Sequence, residues 1–170
     1  MQKELLQFPT ADEWAYELTL KRSPIPGQKR VSATMPDVVA DYLYQRGLAE
    51  ESQEHFLVLV LDTKNNILGH SVISKGLVDR VHVHAREVFR VAILNGASKI
   101  ILAHNHPTGS TYPSPEDIAT TESLHAVGEV VGISVIDHVI VGYDYNESKR
   151  RYTSMRKRGY FKKLEERQSA

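Results

Sequence analysis

The sequence has no cysteine, a single tryptophan and a formal net charge of zero over 170 residues. Without thiols there is neither a disulfide framework nor a thiolate metal site, so any metal must be held by His, Asp, Glu or water. No segment approaches the ~18 apolar residues that a membrane-spanning helix needs. Met1–Leu6 lacks the apolar core of an export signal. These absences predict a cytoplasmic chain without membrane contact. There is no internal repeat and no low-complexity stretch. What remains is an ordinary globular composition, 41% hydrophobic and 25% charged, which predicts one domain with short extensions.

The zero balance hides an asymmetry. Residues 149–170 hold nine Lys/Arg against two Glu, a net of +7, and the other 148 residues carry −7. Such a basic segment reads first as a solvated tail, and otherwise as a contact for nucleic acid, for an anionic peptide or for the body of the protein itself. Tyr152, Tyr160 and Phe161 are interleaved with it and offer rings for base stacking.

Along the chain, residues 1–33 form a weakly patterned leader. Trp14, Tyr16, Leu18 and Leu20 alternate like a strand before Ser23–Gly27 breaks the chain. Thr34-Met35-Pro36-Asp37 opens a helix, with Thr34 expected to cap it and Gly47 to stop it. Phe56–Leu61 is a continuous apolar run, the mark of a strand buried on both faces, and Ile67–Ile73 returns as its partner. A helix over Arg86–Asn95 precedes a short strand, Lys99–Ala103. A second helix starts at Ser114 and runs to about Val130, and a strand follows over Ile133–Val141. This order of elements predicts a mixed α/β domain.

The short strand delivers the chain into His104-Asn105-His106. Two histidines one residue apart point to the same side of a strand, which makes H-x-H a natural but weak ligand pair. His82-Val83-His84 repeats the pattern, but it precedes a helix and has no S-x-x-D partner, and reads as a surface or supporting pair. Asp117 separates the two cases. Ser114 is a good N-cap, which puts Asp117 at the third helical position, and the Pro107–Pro113 loop can fold that helix start over the histidines. His104, His106 and Asp117 would then fill three positions of a tetrahedral zinc and leave the fourth to water.

His104-x-His106 followed by Ser114-x-x-Asp117 resembles the JAMM motif of MPN/JAB-domain metalloproteins. The finer spelling, His104–Gly109 with Pro113-Ser114 and Asp117, is similar to the RadC branch of that family. So are Glu54 with Leu59-x-Leu61-Asp62, Arg86–Phe89, Asp137–Gly142 and Tyr152-x-Ser154-x-Arg156-x-x-Gly159. The resemblance runs over about residues 35–160. It divides the chain into a leader (1–33), a RadC-like JAB/MPN domain (34–160) and a basic C-terminal tail (161–170). The longer members carry an N-terminal helical region for which this leader is too short.

The resemblance implies a cytidine-deaminase-like MPN/JAB fold, a mixed sheet flanked by helices. It also implies a zinc-dependent hydrolase of the JAMM type, a metallopeptidase or isopeptidase acting on a peptide or protein. His104, His106 and Asp117 would be the ligands of one Zn2+, and Glu54 the base, with Glu51 as runner-up. Ser114 would donate to the developing oxyanion, its capping role leaving the hydroxyl proton free. Asn105 is expected to bond backbone from the opposite face, and His138 to be a satisfied core histidine. The alternative implied by the RadC branch is a DNA-repair or DNA-associated factor whose metal site is not a peptidase. A scaffold role ranks last because scaffolds of this type lose ligands. Nothing in the pattern fixes an oligomeric state.

Overall fold

The computed structural model describes residues 30–76 and 83–168. The expected strand at Trp14–Leu20 and the histidine His82 lie outside them. The described chain runs α1 (Pro36–Tyr44), β1 (Glu54–Leu61), β2 (Ile67–Gly76), α2 (Ala85–Leu94), β3 (Lys99–Asn105), α3 (Pro115–Val131), β4 (Ser134–Asp144), β5 (Lys149–Ser154) and α4 (Tyr160–Gln168), with one 3-10 turn at Leu48–Glu50. The strands form one sheet in the order β2-β1-β3-β4-β5. Among the described strands only β3 and β4 pair in parallel, joined through α3. The other pairings are antiparallel. The architecture is mixed α/β, as the order of elements predicts.

The continuous apolar run of β1 exists because both faces of the sheet are covered. Phe56, Val58 and Val60 pack with Val88, Phe89 and Ala92 of α2, Leu124 of α3 and Phe161 of α4. Leu57, Leu59 and Leu61 pack with Val39, Tyr42 and Leu43 of α1 and with Leu48 and Ala49. The period of two sorts the strand cleanly between the two cores.

Three local details depart from the sequence reading. Met35 rather than Thr34 is the N-cap of α1, and it makes no side-chain cap bond. Pro36 at the first helical position has no N–H and already has a helical φ, so the helix starts there and Thr34 falls one residue short of the cap. Strand β3 extends through Asn105, so both His104 and Asn105 belong to the ladder. Third, residues 160–168 are helical, and Phe161 is fully buried. That ring therefore cannot stack on a base, and of the three aromatics only Tyr152 and Tyr160 keep partial exposure. No described helix is long and apolar enough to cross a membrane.

Candidate metal centre

Strand β3 and helix α3 build the centre between them. His104 and His106 leave the C-terminal end of β3 on one face, two residues apart. His106 keeps the strand direction because its N–H donates to the Val141 carbonyl at 2.9 Å. The loop then turns back through Gly109, whose φ is 81°. A Cβ there would lie 3.1 Å from the Tyr143 carbonyl carbon and closer still to its oxygen, so only glycine allows this backbone approach. Thr153 Oγ1 donates to Thr111 Oγ1 at 3.1 Å, and the Arg158 guanidinium lies over the Tyr112 ring at 4.7 Å.

Helix α3 opens on a capping box. Ser114 Oγ accepts the Asp117 N–H at 3.0 Å, and Asp117 Oδ2 accepts the Ser114 N–H at 2.7 Å. The cap aims the Asp117 carboxylate at the two imidazoles. His104 Nε2 lies 3.2 Å from Asp117 Oδ1, His106 Nε2 lies 3.4 Å from Oδ2, and the two Nε2 atoms are 2.9 Å apart. Ligand atoms of the three residues all fall within 4.8 Å of one another, and the group could hold a metal ion.

The donor set fits such an ion for a specific reason. His106 Nδ1 is 2.6 Å from the Ser110 carbonyl, which can only accept, so a neutral His106 carries its proton there. Its Nε2 then turns a lone pair towards His104 and the carboxylate. Electron-rich atoms this close, with His104 fully buried, repel unless a cation lies among them. A proton serves in part. Burial alone would lower the His106 pKa, but its hydrogen bonds to Asp117 and the Ser110 carbonyl and the charges of Asp117 and Glu54 raise it above 6.5. Burial likewise opposes the charged form of Asp117. The imidazoles of His104 and His106 and the Ser114 hydroxyl beside it hold it far below its ordinary 3.8.

Ser114 differs from expectation. Its hydroxyl donates to Asp117 Oδ2 at 2.7 Å, so its proton is engaged rather than free. The reason is the capping box itself, which holds both oxygens together.

Glu54 opens β1, and β1 pairs with β3 so that Phe56 faces His104. Glu54 lies two residues before Phe56, on the same side of β1, and its charge acts on His106. Glu51 is exposed, before the strand begins. Asn105 faces the other way and ties this segment down. Its Oδ1 accepts the His55 N–H at 2.8 Å, and its Nδ2 donates to the carbonyls of Gln53 at 3.0 Å and Glu51 at 3.2 Å.

His138 is both buried and satisfied, as the sequence suggests, but it is not separate from the centre. It is 0% exposed, with Nε2 2.8 Å from His104 Nδ1 and Nδ1 2.6 Å from Thr121 Oγ1. Thr121 escaped the sequence reading. Its only signal is that it lies four residues beyond Asp117, on the same face of α3. His84 is the N-cap of α2 and is not part of this group.

The family profile described as the RadC-like JAB domain matches residues 33–160. A UPF0758 protein of Desulforamulus reducens is 40% identical over 145 residues, 85% of this chain and 61% of its own length. UPF0758 proteins of Staphylococcus aureus strains RF122 and NCTC 8325 are 38% and 37% identical over 147 residues. Those alignments cover 86% of this chain and 61% and 64% of theirs. The chain thus spans less than two thirds of the length of these relatives.

Proposed function

The chain belongs to the RadC-like JAB-domain family, and on that footing we propose that it is a zinc-dependent hydrolase of the JAMM type, cleaving a peptide or isopeptide bond. The observation that carries this reading is the convergence of His104, His106 and Asp117. Two imidazoles and one carboxylate are the set of catalytic rather than structural zinc sites, which keep a position open. A zinc held there supplies Lewis acidity, bringing the pKa of a water towards neutrality and polarising a carbonyl.

The remaining chemistry belongs to the side chains. Glu54, whose charge acts on His106, takes the proton of the attacking water and returns it to the leaving amine nitrogen. The Asn105 clamp on residues 51–55 holds that carboxylate at the strand entrance. Ser114 serves first by fixing Asp117. Its oxyanion role requires the hydroxyl to turn away from Oδ2 once that oxygen is drawn elsewhere. A peptide or protein is the substrate class this chemistry fits.

Elemental analysis of the purified chain beside Asp117→Ala tests the reading. A single zinc per chain in the parent and none in the variant is expected. Hydrolysis of a peptide and isopeptide panel should then be lost in Glu54→Gln with zinc retained. A folded parent that takes up no zinc when it is offered overturns it.

A DNA-associated role has less to draw on. The basic segment is real, but Arg150 pairs with Glu50 at 2.6 Å, and Arg151 pairs with Asp144 at 3.0 Å and Glu147 at 2.7 Å. Those charges are already partly answered within the domain. DNA binding that weakens steeply with salt would favour this reading.

A further inference from the structure

We propose that Thr121 and His138 are positioning residues for the metal centre: together they fix the proton of His104 on Nδ1 and so keep Nε2 open as a ligand. The inference rests on the reading of His104 as a ligand, and it follows from the direction of four contacts.

The Thr121 hydroxyl has one hydrogen. Three groups lie within reach: the Asp117 carbonyl at 2.6 Å, His138 Nδ1 at 2.6 Å and Met155 Sδ at 3.5 Å. The carbonyl can only accept, and an oxygen that close is tolerable only with a hydrogen between. The Thr121 hydrogen therefore goes to Asp117 one helical turn back, the ordinary bond of a threonine within a helix. Thr121 Oγ1 must then accept from His138, which places the His138 proton on Nδ1.

A neutral His138 now has only a lone pair on Nε2. That atom is 2.8 Å from His104 Nδ1, so His104 must donate, and its own proton is fixed on Nδ1. His104 Nε2 is left bare, facing Asp117 Oδ1 and His106 Nε2. The circuit begins at the Asp117 carbonyl and ends at the Asp117 carboxylate. His138 is 0% exposed and Thr121 1%, so no solvent competes for these hydrogens. Phe56 holds the rings from the side, stacked on His104 at 6.1 Å and edge-on to His138 at 5.5 Å.

Thr121→Val keeps the shape and removes the acceptor. His138 then does better with its proton on Nε2, donating to His104 Nδ1. That pushes the His104 proton onto Nε2, the atom the metal needs. Thr121→Ser restores the hydroxyl.

The test is metal binding by the full chain, read by Co2+ absorption and by zinc competition with a chromophoric chelator. It is paired with nitrogen NMR of the histidine rings in the metal-free parent. Thr121→Val should bind about 10- to 100-fold more weakly, the range typical of lost partners behind a ligand, with an altered Co2+ spectrum. Thr121→Ser should bind like the parent. The NMR should place the protons of both His104 and His138 on Nδ1. Equal affinity in parent, Ser and Val variants overturns the proposal and leaves the metal reading intact. So does a proton on Nε2 of either ring in the parent, which decides the matter even if Thr121→Val does not fold. A parent that binds neither metal overturns the metal reading, and the proposal with it.

Discussion

Asn105 Oδ1 accepts the backbone N–H of His55 at 2.8 Å, across fifty residues of chain. This bond, with the two donations of Asn105 Nδ2 to Gln53 and Glu51, joins the strand that bears His104 to the segment that bears Glu54. Asn105→Asp keeps the acceptor but loses both donations and sets a buried carboxylate against two carbonyls. We expect a cost of about 2–4 kcal/mol, or a melting temperature about 5–15 °C lower. Zinc content should stay near that of the parent, because Asn105 faces away from the ligands. An unchanged melting temperature would remove the clamp from this account.

The pKa shifts of the centre fix how metal and pH trade off. In the metal-free protein the raised His106 contributes stability that is full below 6.5 and is lost as pH rises through its folded value. The lowered Asp117 contributes stability present above 3.8 and lost as pH falls towards its folded value. The pair therefore steadies the empty centre most between 3.8 and 6.5. Zinc needs His106 neutral and competes with that proton. The gap in melting temperature between zinc-loaded and chelator-treated protein should thus widen from about pH 5.5 to about pH 8. A gap that stays constant or narrows would show that His106 is not a ligand.

The parts legible in the sequence are those whose geometry is local. The strand period places His104 and His106 on one side, and the Ser114 cap places Asp117 at the third helical position, so the three residues that could hold a metal ion are legible as a group from their spacing. The faces of β1 follow from the same period. His138 needed more. The register of β3 against β4 shifts between Ile100 and Ile101, so Val135 and Asp137 pair with consecutive residues and Ile136 is extra. The bulge puts Val135 and His138, three residues apart, on the same face, which a period of two would deny. Thr121 is found only once α3 is laid over β4. Phe161 was hidden by its charged neighbours, since a basic run reads as solvent-facing.

Gly109 and Gly96 both have positive φ, 81° and 61°, but they differ in their surroundings. A Cβ on Gly96 meets nothing within 4 Å, whereas one on Gly109 runs into the Tyr143 backbone. Gly96→Ala should therefore cost only the left-handed backbone penalty, about 1–2 kcal/mol. Gly109→Ala should cost about 3 kcal/mol or more. It should also weaken zinc binding, because Ser110, whose carbonyl holds the His106 proton, is the next residue. Equal melting temperatures for the two variants would mean that the loop does not depend on its contact with β4.

The last question is whether the C-terminal helix is structure or appendage, and Phe161 decides it. Its ring is 0% exposed, lies edge-on to His125 at 5.6 Å and has the Arg156 guanidinium 5.1 Å away. Lys162, the next residue, is 80% exposed and faces Glu166 at 3.9 Å. Phe161→Ala should cost about 3–5 kcal/mol, the usual penalty for emptying a buried aromatic site. Lys162→Ala should stay within about 0.5 kcal/mol, as surface pairs of this spacing do. Thermal melts of the two variants separate the outcomes. If both melt like the parent, residues from 160 onward are a solvated tail, and the Phe161 ring becomes available for stacking on a nucleic acid. If only Phe161→Ala falls, the helix is part of the core that holds Phe161. Among the described residues before it, Arg158 lies over the Tyr112 ring of the loop beside the candidate metal centre.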